Sequence, residues 1–403
     1  MRVLFISDVY FPRVNGVSTS IRTFRADLRD VGVETVLVVP SYAAAPSAAA
    51  ESGSSSGGDE PGVIRVPAGA VPRDPEDRRM KLGALRRALR QLEASHFDLV
   101  HIHTPFLAHY AGCRFARQRR IPVIATYHTF FEEYLHHYVP LLPRSLGGAL
   151  ARRFTRSQCA GLAAVVAPSE PMRALLLGYG VKERIEVIPT GLPADRYLLG
   201  EGARFRATFG IPVDRPLLLY VGRVAHEKNI EFLLHALVAL RRARPDAMLA
   251  IAGEGPARNH LKSLVMRMGI AQDVHFCGYL DREGALADCY AAADVFVFAS
   301  RTETQGLVLL EALAQGRPVV STSHLGTVSI LRAGCGARVA PEKPEAFAQA
   351  VADILDDPAR AARLSAQARA YALGWASANM ARRLAELYRE LTHHNAPAAI
   401  VAA

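Results

Sequence analysis

The sequence predicts an α/β protein made of two doubly wound domains, each a parallel sheet with helices on both faces. Three observations carry this. Strand and helix signals alternate along nearly the whole chain, and strands spaced by helical segments imply parallel pairing. The alternation restarts in the second half, after Pro189-Thr-Gly-Leu-Pro193 and the stretch to Gly202. The length of 403 residues suits two or three domains. The domains are expected over 1–197 and 198–375, with 376–393 crossing back to the first. Ligands bind outside the carboxyl ends of such sheets, so the two sets of strand ends are expected to face one cleft.

The elements follow in order. Residues 2–7 are short, apolar and β-branched, and read as a strand. A helix is expected over 18–31 and a strand over 34–39. Residues 43–62 are rich in Ala, Ser, Gly and Pro, with Ser52-Gly-Ser-Ser-Ser-Gly-Gly58 at the centre. They read as a flexible surface loop. Residues 74–93 form an amphipathic, Arg-rich helix in this reading, with Leu82, Leu85, Leu89 and Leu92 at helical spacing. A short strand over 98–101, a helix over 108–119 and a strand over 122–126 come next. A second amphipathic helix is expected over 144–158, with Leu146, Leu150 and Phe154 on one face. A strand over 163–168, a helix over 170–179 ending at Gly180, and a strand over 186–188 complete the first domain.

The second domain repeats the pattern. Strands are expected over 216–221, 247–252, 274–276, 295–299 and 318–321. Helices are expected over 229–242, 256–268, 282–291, 307–314 and 344–355. The last helix, 377–392, follows Gly374-Trp375 and is the one expected to return to the first domain.

Composition narrows the function. No apolar run approaches the roughly 18–20 residues of a membrane-spanning helix. The apolar stretch at the N-terminus is too short for a signal peptide and reads as a first strand, which points to the cytoplasm. The five cysteines are scattered, with no C-x-x-C, and read as reduced small hydrophobes. The fourteen histidines form no H-E-x-x-H, and no metal is expected. The net charge is +10, of which +7 falls in residues 1–199. A basic first half suggests an anionic partner. A single Trp and no aromatic–basic interleaving argue against nucleic acid and for an anionic membrane surface.

The most informative motif is Glu303-Thr-Gln-Gly-Leu-Val-Leu-Leu-Glu311, between an apolar strand and a helix. Free N–H groups at Gly306 and Leu307 suit an anion. Glu303 and Glu311 repel that anion, so they fit neutral hydroxyls as hydrogen-bond donors. Phosphate beside hydroxyls describes a nucleotide sugar. Alone, the pair also fits an ordinary strand–helix junction with a glutamate placed near a helix N-terminus.

Other motifs point the same way. Arg223 and Lys228 lie on one strand-to-helix loop. A cation about 4 Å from a diphosphate contributes on the order of 4 kcal/mol at intermediate dielectric before desolvation. The pair also suits the charge that develops on a departing nucleoside diphosphate. Gly253-Glu254-Gly255 forms a strand-to-helix turn where glycine permits close backbone approach to a ligand. Gly278 ends a third strand at the same edge. In the first domain, Asn15-Gly16 favours a turn with positive φ, and Ser18 then caps the helix. His128 stands at a strand end. Behind it Glu132, Tyr134 and Tyr138 look like acceptor-handling surface, although Tyr134 and Tyr138, four apart, also fit one face of a core helix. Arg86, Arg87, Arg152 and Arg153 line the two amphipathic helices, which suit an anionic membrane or simply a solvated face.

With these residues assembled, the chain resembles the retaining family 4 glycosyltransferases of the GT-B fold, two Rossmann-like domains facing a cleft. The resemblance covers nearly the whole chain. It rests on Glu303 and Glu311, on Tyr220-Val-Gly-Arg223 with Glu227-Lys228-Asn229, and on Gly253-Glu-Gly-Pro256. Tyr127-His-Thr with Glu132, Tyr134 and Tyr138, then Ala167-Pro-Ser169 and Ile188-Pro-Thr-Gly191, looks most like the diacylglycerol glucosyltransferase branch. Phosphatidylinositol mannosyltransferases are similar but more distant. Gly16 stands alone where many relatives have a glycine pair, and Ser323-His-Leu-Gly326 replaces a frequent Gly-Gly.

The resemblance implies a UDP- or GDP-hexose co-substrate held mainly by the second domain, and no cofactor or metal. Arg223, Lys228, Gly306 and Leu307 would meet the diphosphate, Glu303 the sugar and Glu311 the ribose. Gly16, Gly253, Glu254 and Gly278 would line the donor. His128 would sit beside the reacting sugar, and with Glu303, Arg223 and Lys228 would carry the chemistry. Tyr127, Glu132, Tyr134, Tyr138 and the four arginines would serve acceptor and membrane. The expected activity is retaining transfer of a hexose to a lipid, diacylglycerol first, at the inner face of the cytoplasmic membrane. A mannosyl- or hexosyltransferase acting on a lipid-linked or soluble saccharide is the alternative, and a non-catalytic nucleotide-sugar-binding protein a third.

Overall fold

The computed structural model describes residues 1–42, 60–71, 74–128, 144–282 and 284–394. The chain forms two compact units, Met1–Gly191 with Ser377–Ala403, and Leu192–Ala376.

The first unit is built on seven parallel strands. These are β1 (Arg2–Ile6), β2 (Glu34–Pro40), β3 (Val63–Val66), β6 (Leu99–Ile102), β7 (Val123–Thr126), β8 (Ala164–Ala167) and β9 (Ile185–Val187). Their order is β3-β2-β1-β6-β7-β8-β9, so the winding reverses between β1 and β6. Side chains alternate across a strand, and β1 shows the result. Val3 and Phe5 enter one core with Ile21, Phe24 and Leu28, while Leu4 and Ile6 enter the other with Leu85, Leu89 and Phe115. Among the described residues the helices on its faces are α1 (Gly16–Asp30), α2 (Leu82–Gln91), α3 (Leu107–Arg119), α4 (Arg144–Cys159) and α5 (Glu170–Gly178). The C-terminal helix (α13, Ser377–His394) packs on α1. Its Ala381, Leu384, Ala385 and Tyr388 complete the first core.

Two expectations in this unit need correction. Residues 74–93 are not one helix. Asp74–Met80 is a strand (β5) paired antiparallel with β4 (Ala68–Val71), and α2 starts only at Leu82. The leucine stripe of α2 is core: Leu85, Leu89 and Leu92 are buried, and only Leu82 is exposed, at 45 %. The second correction concerns α1. Asn15 is its N-cap, in extended backbone, and the Asn15 carboxamide oxygen accepts from the Ser18 N–H at 2.8 Å. Ser18 therefore lies inside the helix, and no positive φ occurs at Asn15 or Gly16.

The second unit has six parallel strands in the order β12-β11-β10-β13-β14-β15. They are β10 (Leu217–Val221), β11 (Met248–Ala252), β12 (Val274–Gly278), β13 (Val295–Phe298), β14 (Val319–Ser321) and β15 (Ala337–Val339). β10, β11 and β13 are wholly buried, as continuous apolar runs in a two-faced parallel sheet should be. The helices are α6 (Gly202–Phe209), α7 (Ile230–Arg241), α8 (Arg258–Arg267), α9 (Ala285–Ala292), α10 (Leu307–Ala314), α11 (Pro344–Leu355) and α12 (Pro358–Leu373). The sequence pattern assigned no element to α6, α12 or β15. Arg204 anchors α6 to α9 through two bonds to Asp288, Nε–Oδ2 at 2.6 Å and Nη2–Oδ1 at 2.9 Å.

Candidate functional site

In the second unit the winding reverses at β10, which lies between β11 and β13. The loops leaving β10 and β13 diverge there, and such a switch point is where doubly wound sheets take ligands. Arg223 and Lys228 lie on the loop after β10, and Glu303 lies on the loop after β13. Lys228 Nζ donates to Glu303 Oε1 at 2.5 Å, with both side chains about one-fifth exposed. The predicted cation and the first predicted glutamate thus meet at the switch point. Below them Tyr220 is fully buried, and its hydroxyl donates to the Arg223 carbonyl at 3.1 Å. Burial, with the Glu303 and Glu227 charges, pushes its phenol well above the ordinary value.

The glycines of this edge serve backbone packing. Gly253 has φ +139, and a Cβ there would meet the Gly222 carbonyl oxygen at 1.9 Å. Gly255 has φ +156 and would meet the Val224 oxygen at 2.4 Å. The Val224 N–H donates to the Glu254 oxygen at 2.8 Å, and the Gly253 N–H to the Gly278 oxygen at 2.8 Å. The loops after β10, β11 and β12 are therefore stitched together, and the close approach is between loops. Glu254 pairs with Arg258 at 3.0 Å.

Gly306, at φ +97, starts α10, and no side chain caps that start. Leu307 is its first helical residue. Gly326 backs this loop: its N–H donates to the Glu303 carbonyl at 2.8 Å, and a Cβ would meet the Thr304 oxygen at 2.1 Å. Leu325 before it holds φ +46, a backbone region that favours glycine. Asn229, also left-handed, precedes α7 and donates to the Ala299 carbonyl at 3.3 Å and to Glu342 Oε1 at 2.9 Å. The second predicted glutamate, Glu311, is 4 % exposed. It has a different cation, Arg282, and it accepts from the Tyr290 hydroxyl at 3.0 Å.

The first unit presents a different chemistry at its own switch point, between β1 and β6. Asp8 follows β1. Its carboxylate accepts from Thr104 Oγ1 at 2.8 Å and from the Ala108 N–H at 3.1 Å. It therefore fills the N-terminus of α3 with a protein anion. Burial pushes its carboxyl up to about 6, against the lowering effect of these hydrogen bonds.

Beside it stand three histidines. His101 is bonded through Nε2 to Thr126 Oγ1 at 2.7 Å and through Nδ1 to the Tyr388 hydroxyl at 2.6 Å. His103 Nδ1 lies 3.4 Å from His128 Nε2, and its own Nε2 is buried with no partner. The rings of His101 and His103 are 4.2 Å apart, those of His103 and His128 5.7 Å. Burial pushes His128 down to about 4 and holds His101 and His103 well below the ordinary histidine value. The cluster is neutral at pH 7. His128 in this setting is a hydrogen-bonding group and not a counter-ion for phosphate.

The remaining expectations divide. Tyr127 is buried, with its hydroxyl 2.9 Å from Thr155 Oγ1, so it faces the fold's interior. Arg86, Arg87 and Arg153 are exposed and Arg152 is half-buried. Gly16 opens α1, and a Cβ added there would meet nothing within 4 Å. Glu132, Tyr134 and Tyr138 lie outside the described residues. Sequence reasoning missed His101, His103, Asp8, Arg282 and Tyr290. His101 on β6 and His103 one residue past its end carried a readable signal, since a spacing of two in extended chain puts both rings on one side.

Among the described residues no group of three or more His, Cys, Asp or Glu is placed to hold a metal, and no helix is long and apolar enough to cross a membrane.

Comparison with known proteins fits this geometry. Residues 14–196 match the family model described as Glycosyltransferase Family 4, and residues 203–371 that described as Glycosyl transferases group 1. The chain is 34 % identical over 330 residues to an alpha-monoglucosyldiacylglycerol synthase of Streptococcus pneumoniae, covering 80 % of this chain and 71 % of that protein. It is 29 % identical over 378 residues to a GDP-mannose-dependent alpha-(1-6)-phosphatidylinositol dimannoside mannosyltransferase of Mycobacterium tuberculosis, covering 93 % of each. Among solved structures, sucrose-phosphate synthase from Thermosynechococcus elongatus superposes with a TM-score of 0.78 at 23 % identity, over 98 % of this chain and 99 % of that one.

Proposed function

The chain belongs to glycosyltransferase family 4, with the GT-B fold, and on that premise we propose that it moves a hexose from a nucleotide sugar to a lipid acceptor of the diacylglycerol class, with retention of configuration. One observation carries the donor assignment. At the second unit's switch point a cation and a carboxylate, Lys228 and Glu303, meet 2.5 Å apart, near the uncapped start of α10. Phosphate and sugar hydroxyls are the chemistry such a site suits.

In this reading Arg223 and Lys228 bind the diphosphate, aided by the N–H groups of Gly306 and Leu307. Glu303 accepts from the hexose hydroxyls, and Glu311 from the ribose. His128 acts on the transferred hexose as a neutral hydrogen-bonding group. The bond from the anomeric carbon to the diphosphate oxygen breaks as the bond to the acceptor oxygen forms on the same face. The acceptor proton passes to the leaving phosphate oxygen. Arg223 and Lys228 stabilise the charge that develops there. No enzymic nucleophile takes part.

The lipid acceptor is supported by the pneumococcal relative's name and by the exposed Arg86, Arg87 and Arg153. Basic side chains attract anionic headgroups, at about 1 kcal/mol each near the surface. Peripheral attachment at the inner face of the cytoplasmic membrane follows. The mycobacterial relative, which matches over more of the chain, favours a second reading in which mannose is transferred to a phosphoinositide-type lipid.

The test is to incubate the protein with UDP- and GDP-hexoses, with and without diacylglycerol in anionic micelles. Nucleoside diphosphate and glycolipid are measured by mass spectrometry. One donor giving a lipid-dependent product supports the proposal and names the sugar. Turnover only with saccharides, or none, overturns the lipid assignment.

A further inference from the structure

Glu311 is the more buried of the two motif glutamates, and its surroundings are fully built. One carboxylate oxygen faces Arg282 Nη2, and the other accepts from the Tyr290 hydroxyl at 3.0 Å. Tyr290 is 2 % exposed, and its hydroxyl also lies 3.4 Å from the Val308 carbonyl. Arg282 comes from the loop between β12 and α9, and its carbonyl accepts from Arg196 Nη1 at 2.8 Å. Its Nε is buried with no hydrogen-bond partner. Burial opposes the guanidinium charge, but Glu311's carboxylate more than restores it, and the arginine is held above its ordinary range. A carboxyl group this far from water needs hydrogen-bond partners, and these two supply them.

Each oxygen of a carboxylate has two lone pairs. Arg282 and Tyr290 take one on each oxygen, and one on each remains. Two oxygens held in one plane by two fixed donors match two neighbouring hydroxyls on a five-membered ring. We propose that Arg282 and Tyr290 are positioning residues that fix the plane of the Glu311 carboxyl group for the vicinal diol of the donor's ribose. The inference rests on the reading above that Glu311 meets the ribose. Neither residue touches the donor; both act through Glu311. Arg282→Lys keeps the charge but loses the planar fork.

The experiment measures calorimetric affinities for UDP and GDP and for their 2′,3′-dideoxy forms, using wild type, Arg282→Met, Arg282→Lys and Tyr290→Phe. Circular dichroism verifies folding. Wild type is expected to prefer whichever ribonucleotide it binds over its dideoxy form by about tenfold or more, the scale of hydrogen bonds to a charged group. Arg282→Met should lose most of that preference while binding the dideoxy form unchanged. Arg282→Lys should recover part of it, and Tyr290→Phe should lose about threefold. A wild type that does not discriminate overturns the ribose reading of Glu311, and this inference with it. A wild type that discriminates, with Arg282→Met discriminating equally, overturns the positioning role alone. Equal weakening toward both nucleotides shows a merely structural role and also overturns it. If Arg282→Met does not fold, the Arg282→Lys and Tyr290→Phe ratios decide, and unchanged ratios in both overturn the proposal.

Discussion

Acid should unfold the first unit before the second, because the first unit buries neutral histidines. His101, His103, His109 and His128 all have proton affinities pushed down by burial, His109 and His128 to about 4. In the unfolded chain each binds a proton near pH 6.5. The unfolded state therefore binds more protons below that pH, and stability falls as pH falls. The contribution is complete above 6.5 and is lost as pH falls, for His109 and His128 on the way to about 4. At pH 5 His109 and His128 have each lost about 2 kcal/mol, at roughly 1.4 kcal/mol per pH unit. Those two together lose about 4 kcal/mol, and His101 and His103 add in the same direction. Asp8 works the other way. Its folded carboxyl titrates near 6, so the folded state takes up a proton first and regains about 1 kcal/mol at pH 5. The net loss is a large fraction of a domain's stability. Urea unfolding at pH 7.5 and pH 5 measures it, with two probes. The chain's single tryptophan, Trp375, lies in the second unit and reports that unit by fluorescence. Far-UV circular dichroism reports both. Circular dichroism should show an early transition at pH 5 that fluorescence lacks. His101→Gln should be less stable at pH 7.5, with a pH dependence shallower by about one proton. A first-unit stability that changes by less than 1 kcal/mol between the two pH values would refute the reasoning.

Further outcomes follow from the same geometry. Glu303→Ala should reduce glycosyl transfer at least a hundredfold with little change in folding; near wild-type turnover in a coupled nucleotide-release assay removes its assigned role. Gly253→Ala should destabilise by more than about 3 kcal/mol, since its Cβ would overlap the Gly222 carbonyl at 1.9 Å; a denaturation midpoint near wild type argues against the stitched loops. Asp8→Ala should cost about 1–2 kcal/mol through loss of the α3 cap while leaving nucleotide affinity unchanged, as calorimetry can check. Neutralising Arg86, Arg87, Arg152 and Arg153 should weaken salt-sensitive binding to anionic vesicles, whereas Leu82→Ala should change it little; binding that is unaffected by either the arginines or salt counts against an electrostatic surface.

How much of this could be read from residues alone depended on the range of the interactions. The buried runs of β10, β11 and β13 are local signals, and they were legible. So were Lys228 and Glu303, because each sits at the carboxyl end of a legible strand. β5 was not legible. Its sequence, Asp-Pro-Glu-Asp-Arg-Arg-Met, has no apolar alternation, and pairing with β4 makes it a strand. The leucines of α2 announced an apolar face, but periodicity does not say whether protein or lipid covers that face. Protein covers most of it here. Glu311 was legible as a carboxylate, yet its partners Arg282 and Tyr290 come from 29 and 21 residues earlier. No local pattern encodes that meeting.

The two sheets share a winding plan, so the plan by itself does not decide which of them takes a nucleotide. On the donor assignment proposed above, the helix starts make the difference. A helix N-terminus carries about half a positive charge and four unsatisfied N–H groups. At the first unit's switch point Asp8 already supplies the anion and accepts from Ala108. Asn15 likewise satisfies the start of α1. A phosphate there would have to displace a carboxylate and then leave it buried without its donors. At the second unit's switch point α10 begins at a glycine with no side-chain cap. Asn229 at the start of α7 turns its amide toward the Ala299 carbonyl and Glu342, away from its own helix. Two similar sheets therefore differ in the sign of charge they can accept, and the difference comes from a few side chains at the loops. Moving a carboxylate to the α10 start, as in Gly306→Asp, should abolish nucleotide binding in the second unit by repulsion and by strain at φ +97. Gly306→Asn keeps a residue tolerant of that backbone without the charge. If the two variants lost affinity equally, strain alone would account for the loss and the electrostatic argument would fail.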